Sequence, residues 1–250
     1  EIYMGDWSSD VCSSDLRPKL IEMIALWYAE AGKYKVFPLD SRGTMRFADE
    51  RPQLAKERTT YVYYPGTQVV PENVAARVLN RAHSLTVDID VPKGGADGVL
   101  VCHGSNAGGY TLFIRDGVLH YVHNYVGAEE LHVESRGKVP EGKVQVRYEF
   151  EPTGKPDLAK GKGAPGKAQL YINEKLVGEA EFPVTIPLVM ALGGGLAVGH
   201  NPGSSVSAMY QPPFAFAGTI FQVKADLSGQ LIQDTEEQEK AVARAAMARQ

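Results

Sequence analysis

The sequence predicts a mainly β protein, an antiparallel sandwich or jelly roll, preceded by one amphipathic helix and an extended segment. Three observations carry that expectation. Beyond Asn80 the hydrophobic period is two, with Leu85, Val87, Ile89 and Val91 alternating against Thr86, Asp88 and Asp90 before Pro92 closes the run. About ten short runs of this kind follow one another between Gly and Pro punctuation, the grammar of sandwiches and jelly rolls. The composition, 44% hydrophobic and 22% charged over 250 residues, is enough to bury a sizeable core in one or two domains.

Taken in order, residues 1–16 read as foreign to the rest. Ser8-Ser9-Asp10-Val11 is nearly repeated as Ser13-Ser14-Asp15-Leu16 around Cys12, with neither helical nor strand periodicity. The stretch is similar to translated sequencing-adapter read-through, so it is set aside as an artefactual, disordered leader, and the true N-terminus is expected upstream. From Arg17 a helix is predicted: Leu20, Met23, Ile24, Trp27 and Ala31 recur at three- and four-residue steps, Pro18 suits a first turn and Gly32 a C′ position. An extended piece from Tyr34 to Asp40 follows, then a polar, arginine-rich connection over 41–58.

Further strands are predicted over 98–102 and 110–114. Asp116-Gly117 then supplies the pair that a type I′ hairpin prefers, returning the chain over 118–121. The same pattern continues at 144–150, 170–172, 176–182, 196–199 and 220–225. The Gly-, Lys- and Pro-rich stretch 154–166 breaks the spacing and is expected to be a mobile surface hairpin loop. Asp234 or Thr235 can cap a last, peripheral helix over 236–249. The expected division is 1–16 leader, 17–60 helix and extended link, 61–229 sandwich and 230–250 helix.

A formal charge of −4 with no dense Lys/Arg block excludes the electrostatic footprint of a nucleic-acid or anionic-membrane binder. No apolar run approaches the roughly 20 residues of a membrane helix, and no secretory pattern opens the chain. The two cysteines, Cys12 and Cys102, have no partners at metal-ligand spacing, and Cys102 reads as a small buried hydrophobe.

Two stretches resemble bacterial arylsulfatases of the alkaline-phosphatase-like superfamily. The first is LIEMIALWYAEAGKYKVFPLDSR over 20–42, in which a Trp-bearing helix runs into Val36, Pro38, Leu39, Asp40 and Arg42. In those enzymes a similar segment closes the catalytic domain. The second runs from Tyr61-Val62-Tyr63-Tyr64-Pro65-Gly66 through NRAHSLTVDIDVP and GADGVLVCHGSNAGGYTLFIRDGVLHYVHN to PPFAFAGTIFQVKADL, and looks like the C-terminal sandwich of the same group.

The resemblance implies a parent enzyme that hydrolyses sulfate esters, with a formylglycine made from Cys or Ser attacking sulfur beside a calcium ion. A charged ester needs such a cation and cationic side chains on its oxygens. The required signature is Cys or Ser, then Pro two residues on, then Arg two further. No proline of this chain has Cys or Ser two residues before it; Cys12 leads into Ser13-Ser14 and Cys102 into His103-Gly104. The family's paired aspartates and Asp-Asn calcium ligands have no counterpart either, and are expected upstream of the residue-17 helix. The expectation is a noncatalytic C-terminal portion of an arylsulfatase that carries no catalytic, binding or metal residues of its own. Its partners are the upstream catalytic domain, on which the helix would dock, and further copies at oligomer contacts. The rivals are a lectin-like, carbohydrate-binding sandwich and a purely structural interaction module, since fold does not fix function.

The remaining constellations are weak. His120 and His123 are three apart, so a regular strand sends them to opposite faces, and these, His103 and His132 read as structural histidines. The 104–109 Gly-rich run lacks the Lys-Ser/Thr ending of a phosphate loop and precedes a strand. Gly193-Gly194-Gly195 and Gly199-His200-Asn201-Pro202-Gly203 flank a strand and can build a shallow sugar site, against the plainer reading of turn chemistry. Tyr63, Tyr64, Tyr121, Tyr125, Tyr210, Phe214 and Phe216 can form a stacking platform, against the plainer reading of core packing. Asp88 and Asp90 share a strand face and are expected to point to water.

Overall fold

A computed structural model describes residues 16–39, 58–67, 69–190, 194–229 and 231–232. The leader up to residue 15, the connection at 41–57 and the helix expected at 236–249 lie outside them. The chain divides into two compact units, Glu1–Arg46 and Phe47–Gln250. In the first, α1 spans Arg17–Lys33 with Pro18 in its opening turn. Gly32 lies inside the helix rather than beyond it; the left-handed residue is Lys35, at φ 53°. The Leu20/Trp27 stripe is exposed, Ala31 being the buried residue of α1, and Trp27 meets Tyr28 and Phe37 edge-on at 5.0 and 5.2 Å. No described helix is long and apolar enough to cross a membrane.

The second unit is a sandwich of two antiparallel sheets. Its strands are β1 (Thr60–Tyr63), β2 (His83–Val91), β3 (Gly98–Ser105), β4 (Gly108–Arg115), β5 (Val118–Tyr125) and β6 (Glu129–Lys138). These are followed by β7 (Gly142–Pro152), β8 (Gly166–Ile172), β9 (Lys175–Phe182), β10 (Leu196–Val198) and β11 (Thr219–Asp226). One sheet has the order β1-β11-β2-β7-β8-β9, the other β10-β3-β4-β5-β6. The nine strands expected from alternation are all present; β1 and β6 are additions.

In the six-stranded sheet burial alternates as side chains turn inward and outward. Leu85, Val87, Ile89 and Val91 of β2 and Val144, Val146, Tyr148 and Phe150 of β7 are buried, while their neighbours are half-exposed. Asp88 is not free in water as expected: its carboxylate accepts from Gln145 and Gln222 of the flanking strands at 2.9 and 2.8 Å. Across the interior the Tyr148 ring lies on Tyr121 of the other sheet, centroids 3.5 Å apart.

The five-stranded sheet behaves differently. β3, β4 and β5 are buried almost without a break, because both of their faces are covered. The inward face joins the main core; on the outward face Val99, Cys102, Phe113, Val122 and Ala197 pack under Val206, Tyr210 and Phe214 of the segment that follows β10. The β4–β5 hairpin has positive φ at both Asp116 and Gly117, as the type I′ pair requires, and the Asp97 carboxylate accepts from both of their N–H groups.

The 154–166 excursion is pinned, which corrects the expectation of a mobile loop. Ala164 is fully buried; its N–H donates to Asn80 Oδ1 at 2.9 Å and its carbonyl accepts from Thr185 Oγ1 at 2.8 Å. Gly163 N–H donates to the Thr185 carbonyl and the Tyr125 hydroxyl to that of Gly161, both at 2.8 Å.

Candidate functional site

The segment covering the five-stranded sheet organises two places, one at each edge of that sheet. It is built around Asn201, which is 1% exposed. The Asn201 amide donates to the carbonyls of Gly203 and Ser204 at 3.3 and 3.0 Å, and its Oδ1 accepts from Val206 N–H and from the Tyr210 hydroxyl at 2.8 Å. Asn201 therefore shapes the loop and presents nothing to a ligand. Burial pushes the Tyr210 phenol up from its ordinary value, so it remains a neutral hydrogen-bonding group.

At the β10 edge the two sheets part around an open groove of about 300 Å³. Pro65 and Gly66 after β1, Val198, Gly199 and His200 at the end of β10, and Ala215, Phe216, Gly218 and Ile220 leading into β11 line it. Each comes from a strand end or turn, and the turns are fixed by backbone pairing. Gly199 N–H donates to Leu100 O at 3.0 Å, Phe216 N–H to Gly199 O at 2.9 Å, and Ala217 N–H to Asp97 O at 2.9 Å. Gly199 has φ +84°, a left-handed conformation that glycine adopts at no steric cost. Tyr64, immediately before the Pro65 lip, is 60% exposed.

Of the aromatic residues considered as a platform, Tyr63, Tyr121 and Tyr210 are buried and Tyr125, Phe214 and Phe216 half-buried, as packing predicts. Tyr64 and the groove-lining Phe216 are the two that the structure brings to this edge. Gly194 and Gly195 instead pack closely on Gly104 and Val70, and Gly193 lies outside the described residues.

At the opposite edge β6 pairs with β5, and across that ladder His120 meets His132 and Glu134. His120 Nδ1 lies 3.0 Å from His132 Nε2 and 3.5 Å from Glu134 Oε2. His120 is buried against the Phe113 ring, centroids 5.0 Å apart, while β6 carries His132 and Glu134 at the surface. Burial holds the His120 imidazole below its ordinary value; His132 adds to that effect and Glu134 opposes it. His123 does face the other way, as its spacing from His120 predicts. It sits in the core, its Nε2 accepting from Ile186 N–H at 3.0 Å, and burial lowers it to about 3.

The other polar groups inside the sandwich are structural. His103 Nε2 lies 2.8 Å from Glu72 Oε2, and Glu72 Oε1 accepts from Met190 N–H at 3.0 Å, which ties the chain after β1 to the end of β3. The 104–109 run forms the tight β3–β4 connection, in which Gly104 and Gly109 lie face to face. Cys102 is 2% exposed, its thiol is pushed up to about 12 by burial, and it sits in mid-strand. It also lacks the conversion signature, with Gly104 where Pro and Asn106 where Arg would stand. The group of three among the described residues that could hold an ion is two imidazoles and one carboxylate, not the all-oxygen set that calcium demands. The residues described here do not fit the formylglycine and calcium of the sulfatase family.

No family model matches the chain, and no curated protein matches it. Among solved structures it is similar to the CBM40 of Ruminococcus gnavus IT-sialidase bound to α2,3 sialyllactose, at 13% identity and TM-score 0.41 over 65% of this chain and 82% of that one. It is similar also to the LG4-5 domains of mouse laminin α1, at 14% identity and TM-score 0.42 over 70% and 40% of the two chains. A third is the heptameric SAP-like pentraxin of Limulus polyphemus, at 11% identity and TM-score 0.34 over 68% and 74%. Likenesses of this size carry no argument about the site; the assignment to the β-sandwich class rests on the strand pairing itself.

Proposed function

We propose that this chain is a noncatalytic β-sandwich module that binds carbohydrate through the groove at its β10 edge. The observation that carries the reading is the composition of that groove. Half-buried Phe216, with the buried Val198 and Ile220 behind it, lines an open space of about 300 Å³ beside the half-buried, polar His200 and the backbone of Gly66, Gly199 and Gly218. A pyranose ring has a matching character, apolar on its C–H face and polar around its rim, and the exposed Tyr64 adds an amphipathic ring at the lip. The lining includes no carboxylate and a single imidazole. It therefore lacks the paired acids that glycoside hydrolysis uses, which favours binding over turnover.

Membership of a sulfatase-type parent remains part of the proposal, supported by the 20–42 and 61–229 resemblance. On that view the module would hold a glycan near an upstream catalytic domain, and sequence upstream of this chain would contain Cys/Ser-x-Pro-x-Arg. The test is a glycan array followed by calorimetric titration of the full chain. A saturable signal that weakens at least about fivefold in His200→Ala and Tyr64→Ala is expected, since a lost ring contact is worth about 1 kcal/mol or more. An empty array, or binding unmoved by both substitutions, overturns the reading. Hydrolysis of an aryl sulfate by this chain with calcium added would overturn its noncatalytic part.

A further inference from the structure

We infer that His120, His132 and Glu134 form a binding site for a divalent transition-metal ion of the zinc type, clipping the edge strand β6 to β5. The centroids of His120 and His132 are 5.2 Å apart with planes 21° from parallel, and the nitrogens are 3.0 Å apart. The centroid separation exceeds the nitrogen gap by nearly two ring radii, so the two rings meet edge to edge with those nitrogens facing each other. The in-plane lone-pair directions of His120 Nδ1 and His132 Nε2 therefore converge on the space between them. Two imidazole nitrogens on a tetrahedral zinc ion, each about 2.0–2.1 Å from the metal, stand about 3.3 Å apart. The observed spacing is a few tenths of an ångström short of that, and the surface position of His132 leaves it free to turn by that amount.

The third donor is already in range. Glu134 Oε2 is 3.5 Å from the same His120 nitrogen, and all three ligand atoms lie within 4.8 Å of one another. Two imidazoles and a carboxylate suit zinc and its neighbours rather than calcium or magnesium, and three protein ligands leave a fourth position for water or an external donor.

The site is built, not merely crowded. His120 is directly opposite Glu134 in the β5–β6 register, and His132 is opposite Val122, one outward-facing position away. The ladder thus sets their spacing. The His120 ring is held against Phe113, and the Arg115 backbone hydrogen-bonds it. Next along the same face of β6, Glu130 accepts from Ser207 Oγ and Ala208 N–H, both at 2.7 Å, fixing the cover segment beside the site. Bound metal would cross-link the outermost strand of the five-stranded sheet to its neighbour, replacing the hydrogen bond between the two imidazoles with coordination to an ion. The proposal is independent of the carbohydrate groove, which lies at the other edge.

The test is titration of the untagged full chain with zinc chloride against a chromophoric chelator, with cobalt(II) absorption to report ligand geometry. One ion per chain with tetrahedral cobalt bands is expected. His132→Ala should weaken binding at least about 100-fold and Glu134→Gln about tenfold, while Glu181→Gln on β9 leaves it unchanged. Both substituted ligands are at the surface, and circular dichroism confirms that the sandwich is retained. Absence of stoichiometric binding, or binding that His132→Ala leaves within about threefold of the parent, overturns the proposal.

Discussion

The two sheets of this sandwich solve the same problem in different ways. The six-stranded sheet buries one face and leaves the other to water, so its central strands β2, β7 and β8 alternate between buried and half-exposed residues. The five-stranded sheet buries both faces, the second beneath a segment that is irregular in conformation yet carries Val206 and Tyr210 into a small core of its own. The difference is one of division of labour. The regular sheet supplies cohesion; the doubly covered one positions side chains, and both candidate sites lie at its edges, where the cover ends.

The sharpest way to break that contrast is to remove an anchor of the outer core. Phe113 is fully buried between His120, Tyr210 and Phe214. Phe113→Ala should cost about 3–5 kcal/mol in denaturant unfolding, as for any large core residue. A loss below about 1 kcal/mol would mean that the cover is only draped over the sheet. Gly178→Ala tests the side of the sandwich where β9 meets β6: a methyl group there would overlap the Glu134 carbonyl oxygen. The expected loss is up to about 3 kcal/mol, the range for forced overpacking, and a neutral result would show that the edge yields.

Acid sharpens the comparison further, because His123 faces the interior from the five-stranded sheet. The unfolded chain takes up its proton near pH 6.5, whereas the folded ring, neutral and accepting from Ile186 N–H, resists protonation down to about 3. Stability is therefore whole above pH 6.5 and drains as the pH falls, by roughly 2 kcal/mol at pH 5 from this ring alone. His123→Asn, which keeps an acceptor, should flatten the pH profile by about one proton; an unchanged slope contradicts the assignment. The smallest effect belongs to the solvent face of the six-stranded sheet. There Tyr171 lies under the Arg147 guanidinium, 4.5 Å from the ring centroid, and Tyr171→Ala should cost about 1 kcal/mol or less.

The same contrast explains what could be read in advance. Period-two strands are legible because one face meets water, which is why β2 and β7 were plain in the sequence. β6 was not, since its run offers only Leu131 and Val133 inward among Glu, His, Arg and Gly, a composition that depresses strand propensity. Without β6 there is no register, and without register His120 could be weighed only against His123, its neighbour in sequence, and not against His132 and Glu134 across the ladder. A turn placed between Tyr125 and Glu129 would have been the signal. The groove was half legible: Gly199 and His200 stood out as a polar turn, but their meeting with 65–66 and 215–220 depends on pairing across the whole chain. The 154–166 stretch looked loose by composition because its anchors, Asn80 and Thr185, lie far away in sequence.

The central claim is that the edge of the covered sheet, and not the open face of the regular one, meets the ligand. Amide chemical-shift mapping during titration with an oligosaccharide taken from the array tests it most directly. The account predicts shifts at Gly66, Gly199, His200, Phe216 and Gly218. Shifts centred instead on Thr86, Gln145 and Tyr171 of the six-stranded sheet would contradict it.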